Sequence, residues 1–165
     1  KDVDIYVGTF SKSLGSIGGF VSTKKDIAEY IRHKASAFIF TAALPPASVA
    51  GVIEGLNIII DESKRRKRLC ENTAFIKRSL FEMGIQVNNN QVPIVPIQIG
   101  DEAVTLYMNR LLFDDGLFAG VAVSPVVPPL KAMIRTSYTC GHTKEDLKSI
   151  ATSFNKNLKK MGVLS

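Results

Sequence analysis

The sequence predicts an α/β chain in two parts, the second of them a small α+β domain with an antiparallel sheet. Three features support this. Short apolar strands enclose a glycine-rich loop near the start, a helical pattern runs from Ala47 to about Met83, and a β-α-β-β-α order follows Gly84. Hydrophobic residues make up 45% of the 165 residues and charged residues 22%, which is the composition of an ordinary globular protein.

The first part begins with two predicted strands and a helix. Val3 to Val7 and Gly19 to Ser22 are apolar runs bounded by polar and glycine-rich segments, which predicts strands. A helix is expected to follow as far as Lys34, because its apolar residues recur three and four positions apart. Thr23 precedes this helix and is its predicted N-cap.

The helical pattern in the middle of the chain is too long for one straight helix. Asp61-Glu62-Ser63 predicts a bend, and Gly84 predicts the C-terminal cap. In the second half, residues four and three positions apart form a stripe that is expected to face a core: Leu69, Thr73, Ile76, Leu80 and Met83. The change of composition near Gly84 predicts a domain boundary there.

Short strands and two helices are expected after this boundary. The predicted strands are Ile85 to Val87, Ile94 to Ile99, Leu117 to Val123 and Ala132 to Thr139. Asp101 is the predicted cap of the first helix, and residues 143–146 form a near capping box for the last helix. This order predicts a compact antiparallel α+β domain.

The charge pattern argues against nucleic-acid binding. The net charge is +6, and five of the 21 basic residues lie in one run, Lys64-Arg65-Arg66-Lys67-Arg68. No aromatic residue interrupts this run, as a surface that stacks single-stranded bases would require. A solvated helix face is therefore favoured, and attraction of an anionic substrate such as coenzyme A is the remaining alternative.

The sequence also predicts a cytoplasmic location. No apolar run approaches the roughly 20 residues that span a bilayer, and the first residues contain no apolar signal region. Cys70 and Cys140 are far apart in the sequence and lack the spacing of metal ligands, so we expect no metal site and reduced thiols.

The most informative segment is Gly-Thr-Phe-Ser-Lys-Ser-Leu-Gly at residues 8–15, followed by Gly18-Gly19-Phe20. Its hydroxyl groups can donate to phosphate oxygens, and Lys12 offers a cation or a nucleophilic amine. A nucleotide P-loop is excluded, because Ser11 stands where that motif requires glycine. Two interpretations are left: a glycine-rich turn with a solvated lysine, or a lysine that forms a Schiff base with a cofactor aldehyde.

Two further segments contain candidate site residues. Thr41 lies in Phe-Thr-Ala-Ala-Leu-Pro-Pro, where Phe38 to Phe40 predicts a short buried strand before the next helix. Arg135 lies within an apolar predicted strand, where a buried guanidinium requires an anionic partner. It is interpreted as half of a structural salt bridge, as a solvated residue of an edge strand, or as a clamp for a substrate carboxylate.

The segment around Lys12 resembles the cofactor-lysine segment of the α-oxoamine synthases. These are pyridoxal-phosphate enzymes of fold type I, related to class II aminotransferases, that condense an amino acid with an acyl-CoA and release carbon dioxide. The Thr41 segment, the Ser-Pro-Val-Val-Pro stretch at residues 124–128, and Ile134-Arg135 are similar to further family segments and follow in the family's order. Ser13 and Thr41-Ala42 resemble the serine-using branch.

The resemblance implies a role for each candidate residue. Lys12 is the catalytic residue and binds pyridoxal 5'-phosphate, with Thr9 and Ser11 at the phosphate. Thr41 reaches the phosphate bound in the partner subunit, so that a homodimer has its active site at the subunit interface. Arg135 binds the carboxylate of the amino-acid substrate. His142 matches a common family histidine, for which we expect a structural hydrogen bond.

The resemblance also implies a division of the chain. Residues 1–45 correspond to the C-terminal part of the large pyridoxal-phosphate domain, 46–84 to connecting helices, and 85–165 to the small C-terminal domain. The chain is then the C-terminal portion of a longer acyltransferase, and the isolated 165 residues are expected to be inactive. The alternative is an inactive fragment that serves only as a folding or dimerisation module.

Overall fold

A computed structural model of the chain describes residues 2–88, 90 and 92–162. The chain divides into two compact units, Lys1–Ser63 and Lys64–Ser165. The division falls among the predicted connecting helices and not near Gly84. The reason is that Ile76 and Leu80, from the second of these helices, are buried in the core of the second unit.

The first unit contains a β-hairpin and three helices. Its elements are β1 (Ile5–Thr9), β2 (Gly19–Thr23), α1 (Lys25–Lys34), α2 (Ser36–Ile39) and α3 (Pro46–Asp61). β1 and β2 pair antiparallel, with Val7 opposite Val21. α3 begins at Pro46 as expected, because a proline at the first helical position leaves no additional donor unsatisfied.

Two local predictions in this unit are wrong. Thr23 does not cap α1: its hydroxyl donates to the carbonyl of Asp4 at 2.7 Å and joins β2 to the residue before β1. Lys24 is the N-cap and makes no side-chain capping bond. The predicted strand at Phe38 to Phe40 is instead part of the short helix α2 and the bend after it, because three apolar residues carry no usable periodicity.

The second unit is an antiparallel α+β fold, as predicted. Its elements are α4 (Ser63–Glu82), β3 (Ile94–Gly100), α5 (Glu102–Asp114), β4 (Gly120–Ala122), β5 (Ala132–Ser137) and α6 (Lys144–Lys160). The strand order is β3-β5-β4, and both pairings are antiparallel. Residue 62 separates α3 from α4, where the bend was expected. Ile85 to Val87 forms no strand, contrary to the prediction.

The core of the second unit lies between one face of the sheet and its helices. The largest buried side chains are Ile76, Leu80, Val95, Ile97, Met108, Leu112, Ile134, Phe154 and Leu158. Along β5, buried Ile134 and Thr136 alternate with exposed Arg135 and Ser137. The sheet therefore has one face packed in the core and one open face.

The backbone groups at the helix ends of this unit form hydrogen bonds with residues nearby in the sequence. Gly84 (φ 84°) ends α4: its N–H donates to Phe81 and the next N–H donates to Leu80, at 2.9 and 3.0 Å. The Asp101 carboxylate accepts from the N–H of Val104 at 2.9 Å and caps α5 as predicted. No helix in the described ranges is long and apolar enough to cross a membrane.

The last helix begins with the capping box that the sequence indicated. The Thr143 hydroxyl accepts from the N–H of Asp146 at 3.1 Å, and the Asp146 carboxylate accepts from the N–H of Thr143 at 2.8 Å. Because these bonds favour the ionised carboxylate, they lower the pKa of Asp146. The box fixes the position at which the chain enters α6.

Candidate active site

The loop between β1 and β2 presents Lys12 at a tight turn. The N–H of Phe10 donates to Gly18 O, and the N–H of Ser16 donates to Phe10 O, both at 2.9 Å. Within this frame, the N–H of Gly15 donates to Lys12 O at 3.0 Å. Gly15 has φ 58°, a conformation that glycine adopts without strain. The main chain therefore places Lys12 at the first position of a closed turn.

Two glycines after the turn allow close packing around the loop. Gly18 has φ 86°, and a Cβ there would lie 2.4 Å from Leu44 Cδ2. A Cβ on Gly19 would lie 2.4 Å from the carbonyl oxygen of Gly8. The Leu-Pro-Pro segment therefore packs directly on the lysine loop. This contact connects the lysine loop to the Leu-Pro-Pro segment, which lies about 26 residues later in the sequence.

The hydroxyl groups of Thr9 and Ser11 form a pair beside Lys12. Their oxygens are 2.8 Å apart, and Thr9 Oγ1 also lies 3.3 Å from the carbonyl oxygen of Gly18. The N–H of Ser11 donates to Thr9 Oγ1 at 3.2 Å. When Thr9 donates its proton to Ser11 Oγ, the Ser11 proton is free to point outward. The pair can therefore offer one exposed hydroxyl donor to an anion.

The Lys12 side chain is exposed. Within residues 2–88, 90 and 92–162, no carboxylate lies within 4.0 Å of its amine, and no hydrogen bond holds that amine. A lysine that is neither paired nor buried can approach an electrophile directly. Lys12 and the two hydroxyl residues thus lie within four consecutive positions of the loop.

Thr41 follows α2 in the same unit, and its side chain is exposed. Its hydroxyl donates to the carbonyl of Ala37, one helical turn earlier. The bond uses the only proton of this hydroxyl, so Thr41 must release Ala37 before it can donate to another group. Leu44, three residues later, is the residue that packs against the lysine loop.

Arg135 lies in the second unit, on the open face of the sheet. Its strand β5 is central, with Pro96 opposite Arg135 on β3 and Gly120 opposite on β4. The edge-strand interpretation is therefore wrong, although the side chain is exposed. Among the described residues no carboxylate lies within 4.0 Å of the guanidinium, which removes the structural salt bridge. Two interpretations of Arg135 are left: a solvated arginine, or a residue that binds a ligand carboxylate.

His142 has the structural hydrogen bond that we expected. Its Nδ1 accepts from the N–H of Thr139 at 3.2 Å, and its ring lies edge-on to Tyr138, with the centroids 6.0 Å apart. Asn72 Nδ2 donates to the carbonyls of both Thr139 and His142, at 2.9 and 3.2 Å. Burial raises the pKa of Tyr138 to about 12. This side-chain group joins α4 to the turn before α6.

Sequence reasoning missed a polar cluster at the end of α5. The Asp115 carboxylate accepts from Ser153 at 2.6 Å, Lys156 at 2.6 Å and Asn157 at 2.8 Å. These bonds, with that from Lys156 the largest contribution, lower the pKa of Asp115 to about 2. The partners lie about forty positions away in sequence, so no local pattern reveals them. The cluster ties α5 to α6 and is structural.

The fold and these side chains correspond to a family of cofactor-dependent enzymes. The chain belongs to the family described as aminotransferase class I and II, which matches residues 1–154. This agrees with the fold-type-I, class-II-aminotransferase-like assignment that the motifs implied.

Individual relatives carry two different enzyme names. The chain is 38% identical to the 8-amino-7-oxononanoate synthase of Thermoanaerobacter pseudethanolicus, over 98% of this chain and 41% of that protein. It is 39% identical to the serine palmitoyltransferase of Bacteriovorax stolpii, over 93% of this chain and 37% of that protein. A solved structure of SPT with a PLP internal aldimine has a TM-score of 0.92 and 30% identity, over 98% of this chain and 41% of that chain. The chain therefore spans about two fifths of the length of these relatives.

Proposed function

We propose that this chain is the portion of a pyridoxal-phosphate-dependent acyltransferase that supplies the cofactor lysine and the substrate-carboxylate arginine. The enzyme would condense an amino acid with an acyl-CoA and release carbon dioxide. The observation that carries the proposal is Lys12 at a closed turn, directly after the Thr9–Ser11 hydroxyl pair in the sequence, with an exposed side chain whose amine has no hydrogen bond or ion pair among the described residues. The family membership and the relatives' printed activities support the same chemistry.

The groups of the loop fit pyridoxal phosphate at both of its ends. The cofactor carries an aldehyde, which requires a free amine, and a phosphate, which requires hydroxyl and N–H donors. Lys12 offers the amine. Ser11 offers a hydroxyl proton when its oxygen accepts a hydrogen bond from Thr9 Oγ1, 2.8 Å away. Gly18 and Gly19 carry no side chain that could obstruct the loop. Lys12, Thr9 and Ser11 are therefore the residues that would hold the cofactor here.

Each residue has a defined role in the proposed reaction. When bound, pyridoxal phosphate supplies an electron sink for the carbanion that forms at the substrate's α-carbon. Lys12 Nζ holds the cofactor at rest. Lys12 Nζ would also be the base that accepts the substrate's α-proton. The Arg135 guanidinium binds the substrate carboxylate with two parallel N–H groups and orients the α-carbon. Attraction of coenzyme A by the basic run at residues 64–68 is the alternative to a solvated helix face.

We propose serine as the amino acid, on the basis of Ser13 and Thr41-Ala42. Overall identity does not decide between the two branches, since relatives of both kinds match at 38% and 39%. Carbon-13-labelled serine should then enter the ketone product of the full-length enzyme. Incorporation of only alanine or glycine would overturn the proposal of serine.

We further propose a homodimer in which Thr41 reaches the phosphate held by the partner subunit, with the active site at the interface. The exposed position of Thr41 supports this, and its hydroxyl would exchange the Ala37 carbonyl for a phosphate oxygen. Two free thiols, Cys70 and Cys140, support a reducing, cytoplasmic location. Sedimentation of the full-length protein should show a dimer, and Thr41→Ala should leave that dimer intact. The same substitution should weaken binding of the cofactor phosphate.

The covalent position of the cofactor tests the proposal directly. Incubation with pyridoxal phosphate, reduction with borohydride and peptide mass spectrometry should place the label on Lys12 in the full-length protein. Lys12→Ala should abolish this label, whereas the control Lys24→Ala, at the exposed start of α1, should preserve it. The isolated chain should show weak labelling spread over several lysines, as expected of an inactive folding or dimerisation module. Stoichiometric label on a lysine other than Lys12 would overturn the proposed function.

A further inference from the structure

The backbone conformation at residue 120 does not require glycine, yet the residue there is Gly120. It lies in β4, on the edge of the three-stranded sheet, and pairs with Arg135 of the central strand. Its φ lies outside the left-handed region, unlike that of Gly84, Gly100 or Gly116. Glycine in a strand costs stability, because it loses conformational entropy and contributes no packing. Some other property of the position must therefore favour it.

Space inside the fold does not explain this glycine either. A Cβ at residue 120 would lie 3.6 Å from the Arg135 carbonyl oxygen and 4.0 Å from Arg135 Cβ, both ordinary van der Waals distances. Alanine would fit without a shift of the backbone. The same Cβ would also lie 4.0 Å from Arg135 Nε. A larger side chain would therefore extend along the arginine toward its guanidinium.

The surroundings of Arg135 leave it approachable from this side. Paired residues of an antiparallel sheet share a face, so Gly120 and Pro96 flank Arg135 on the open face. The neighbours along this face are Gln98, Met133, Ser137 and Ala122, and none of these is charged. Among the described residues of β3, β4 and β5 on this face, Arg135 is thus the single charged residue, and one neighbouring position has no side chain.

We infer that Gly120 is a binding-site residue, whose missing side chain opens the approach to the Arg135 guanidinium for the carboxylate of an α-amino acid. Glycine inside a strand commonly marks a place where a ligand approaches the backbone closely. The ligand class rests on the proposed function, which assigns a substrate carboxylate to Arg135. The accessibility of the guanidinium does not rest on it and can be measured separately.

The experiment compares Gly120→Ala and Gly120→Val with the matched control Ala122→Val. Ala122 lies on the same strand and the same face, but it is opposite Met133. The reaction rate of phenylglyoxal with Arg135, mapped by mass spectrometry in the full-length protein, measures access to the guanidinium. Arg110, on α5 and paired with Asp114 at 3.0 Å, serves as the internal reference. Thermal midpoints and amino-acid dissociation constants of the cofactor-loaded protein complete the set.

We expect the Arg135 reaction to slow progressively from glycine to alanine to valine, while Arg110 and the Ala122→Val control stay at the wild-type rate. Amino-acid affinity should fall about tenfold in Gly120→Val, the equivalent of one charge-assisted hydrogen bond. The thermal midpoint of Gly120→Ala should rise by about 1–4 °C, because alanine removes the entropic cost of glycine.

Two outcomes would overturn the inference. One is an unchanged Arg135 rate in Gly120→Val, and the other is an equal slowing in Ala122→Val. Either outcome combined with a lower midpoint would identify Gly120 as a packing residue. Failure of the proposed function has a different signature. The wild-type protein would then bind no amino acid, whereas the phenylglyoxal rates would still decide the role of Gly120.

Discussion

The two units of this chain hold their conformations by different means. In the second unit, core residues such as Val95, Leu112 and Ile134 are all completely buried. In the described part of the first unit, Val52 is the single buried apolar residue, and Val7 is 77% exposed. There the chain is held by turns, by glycine-enabled contacts such as Gly18 on Leu44, and by strand pairing. Lys12 thus lies on a loop held by local contacts, and Arg135 lies on a sheet that packs against a buried core.

This difference predicts how strongly a substitution near each candidate site residue affects the fold around it. A sheet over a core holds the direction of its side chains through many contacts, so that no single open-face residue is needed for folding. A loop held by a few hydrogen bonds and two positive-φ glycines depends on each of them. We therefore expect stability in the second unit to depend on the core, and geometry in the first unit to depend on its glycines.

The largest expected effect is on the core of the second unit. Ile134→Ala should lower the free energy of unfolding by about 2–5 kcal/mol, because it leaves a cavity in a close-packed core. Val7→Ala, at an exposed position of β1, should change it by less than about 0.5 kcal/mol. Urea unfolding of both variants measures the difference. Equal losses would show that β1 is as deeply buried in the folded protein as β5.

The next effect separates substrate binding from cofactor binding. Arg135→Lys keeps the charge but loses the paired N–H geometry, so amino-acid affinity should fall by roughly 1.5–3 kcal/mol, about one to two powers of ten. Cofactor binding, which we propose depends on Lys12 in the other unit, should be unchanged. Isothermal titration and the thermal midpoint are measured on the same variant. Unchanged amino-acid affinity in both Arg135→Lys and Arg135→Ala would remove Arg135 from the site.

A smaller effect is expected in the lysine loop. Gly18→Ala combines a φ of 86° with a Cβ 2.4 Å from Leu44, so it should cost about 1–3 kcal/mol and disturb Lys12. Gly15→Ala shares the positive φ (58°) but meets nothing within 4 Å, so it should cost about 1 kcal/mol. Unfolding free energies and the Lys12 labelling rate compare the pair. A Gly15 variant that is the more damaging of the two would contradict this account of the loop.

The smallest expected effect is a dependence of stability on pH in the second unit. The Asp115 pKa is lowered from 3.8 to about 2 in the folded protein, mainly by its bond from Lys156. A lowered carboxyl pKa contributes stability that is present above pH 3.8 and is lost as the pH falls toward 2. Asp115→Asn should flatten the stability profile over this window, whereas the exposed neighbour Asp114→Asn should not. A profile that is equally steep without Asp115 would assign the dependence to other carboxylates.

The sequence by itself determined the family and most of the second unit, and it predicts the candidate site residues. Residue order carries these features directly. The turn that holds Lys12 needs its glycines, Asp101 caps α5, and the capping box of Thr143 and Asp146 opens α6 within four positions. Periodic apolar residues also placed α4 and its stripe in the core, because helix geometry brings positions three and four apart onto one face.

Only the tertiary structure decided which groups meet across long separations. It showed that Leu44 packs on Gly18, that β5 is central and turns Arg135 to an open face, and that Gly120 lies opposite Arg135. It also corrected the strand predicted at Phe38 to Phe40 and the cap predicted at Thr23. Strand order and cross-strand register depend on contacts between residues distant in the chain, and three-residue runs are compatible with either a helix or a strand. Such choices follow from the partners available in the folded chain, which local sequence does not specify.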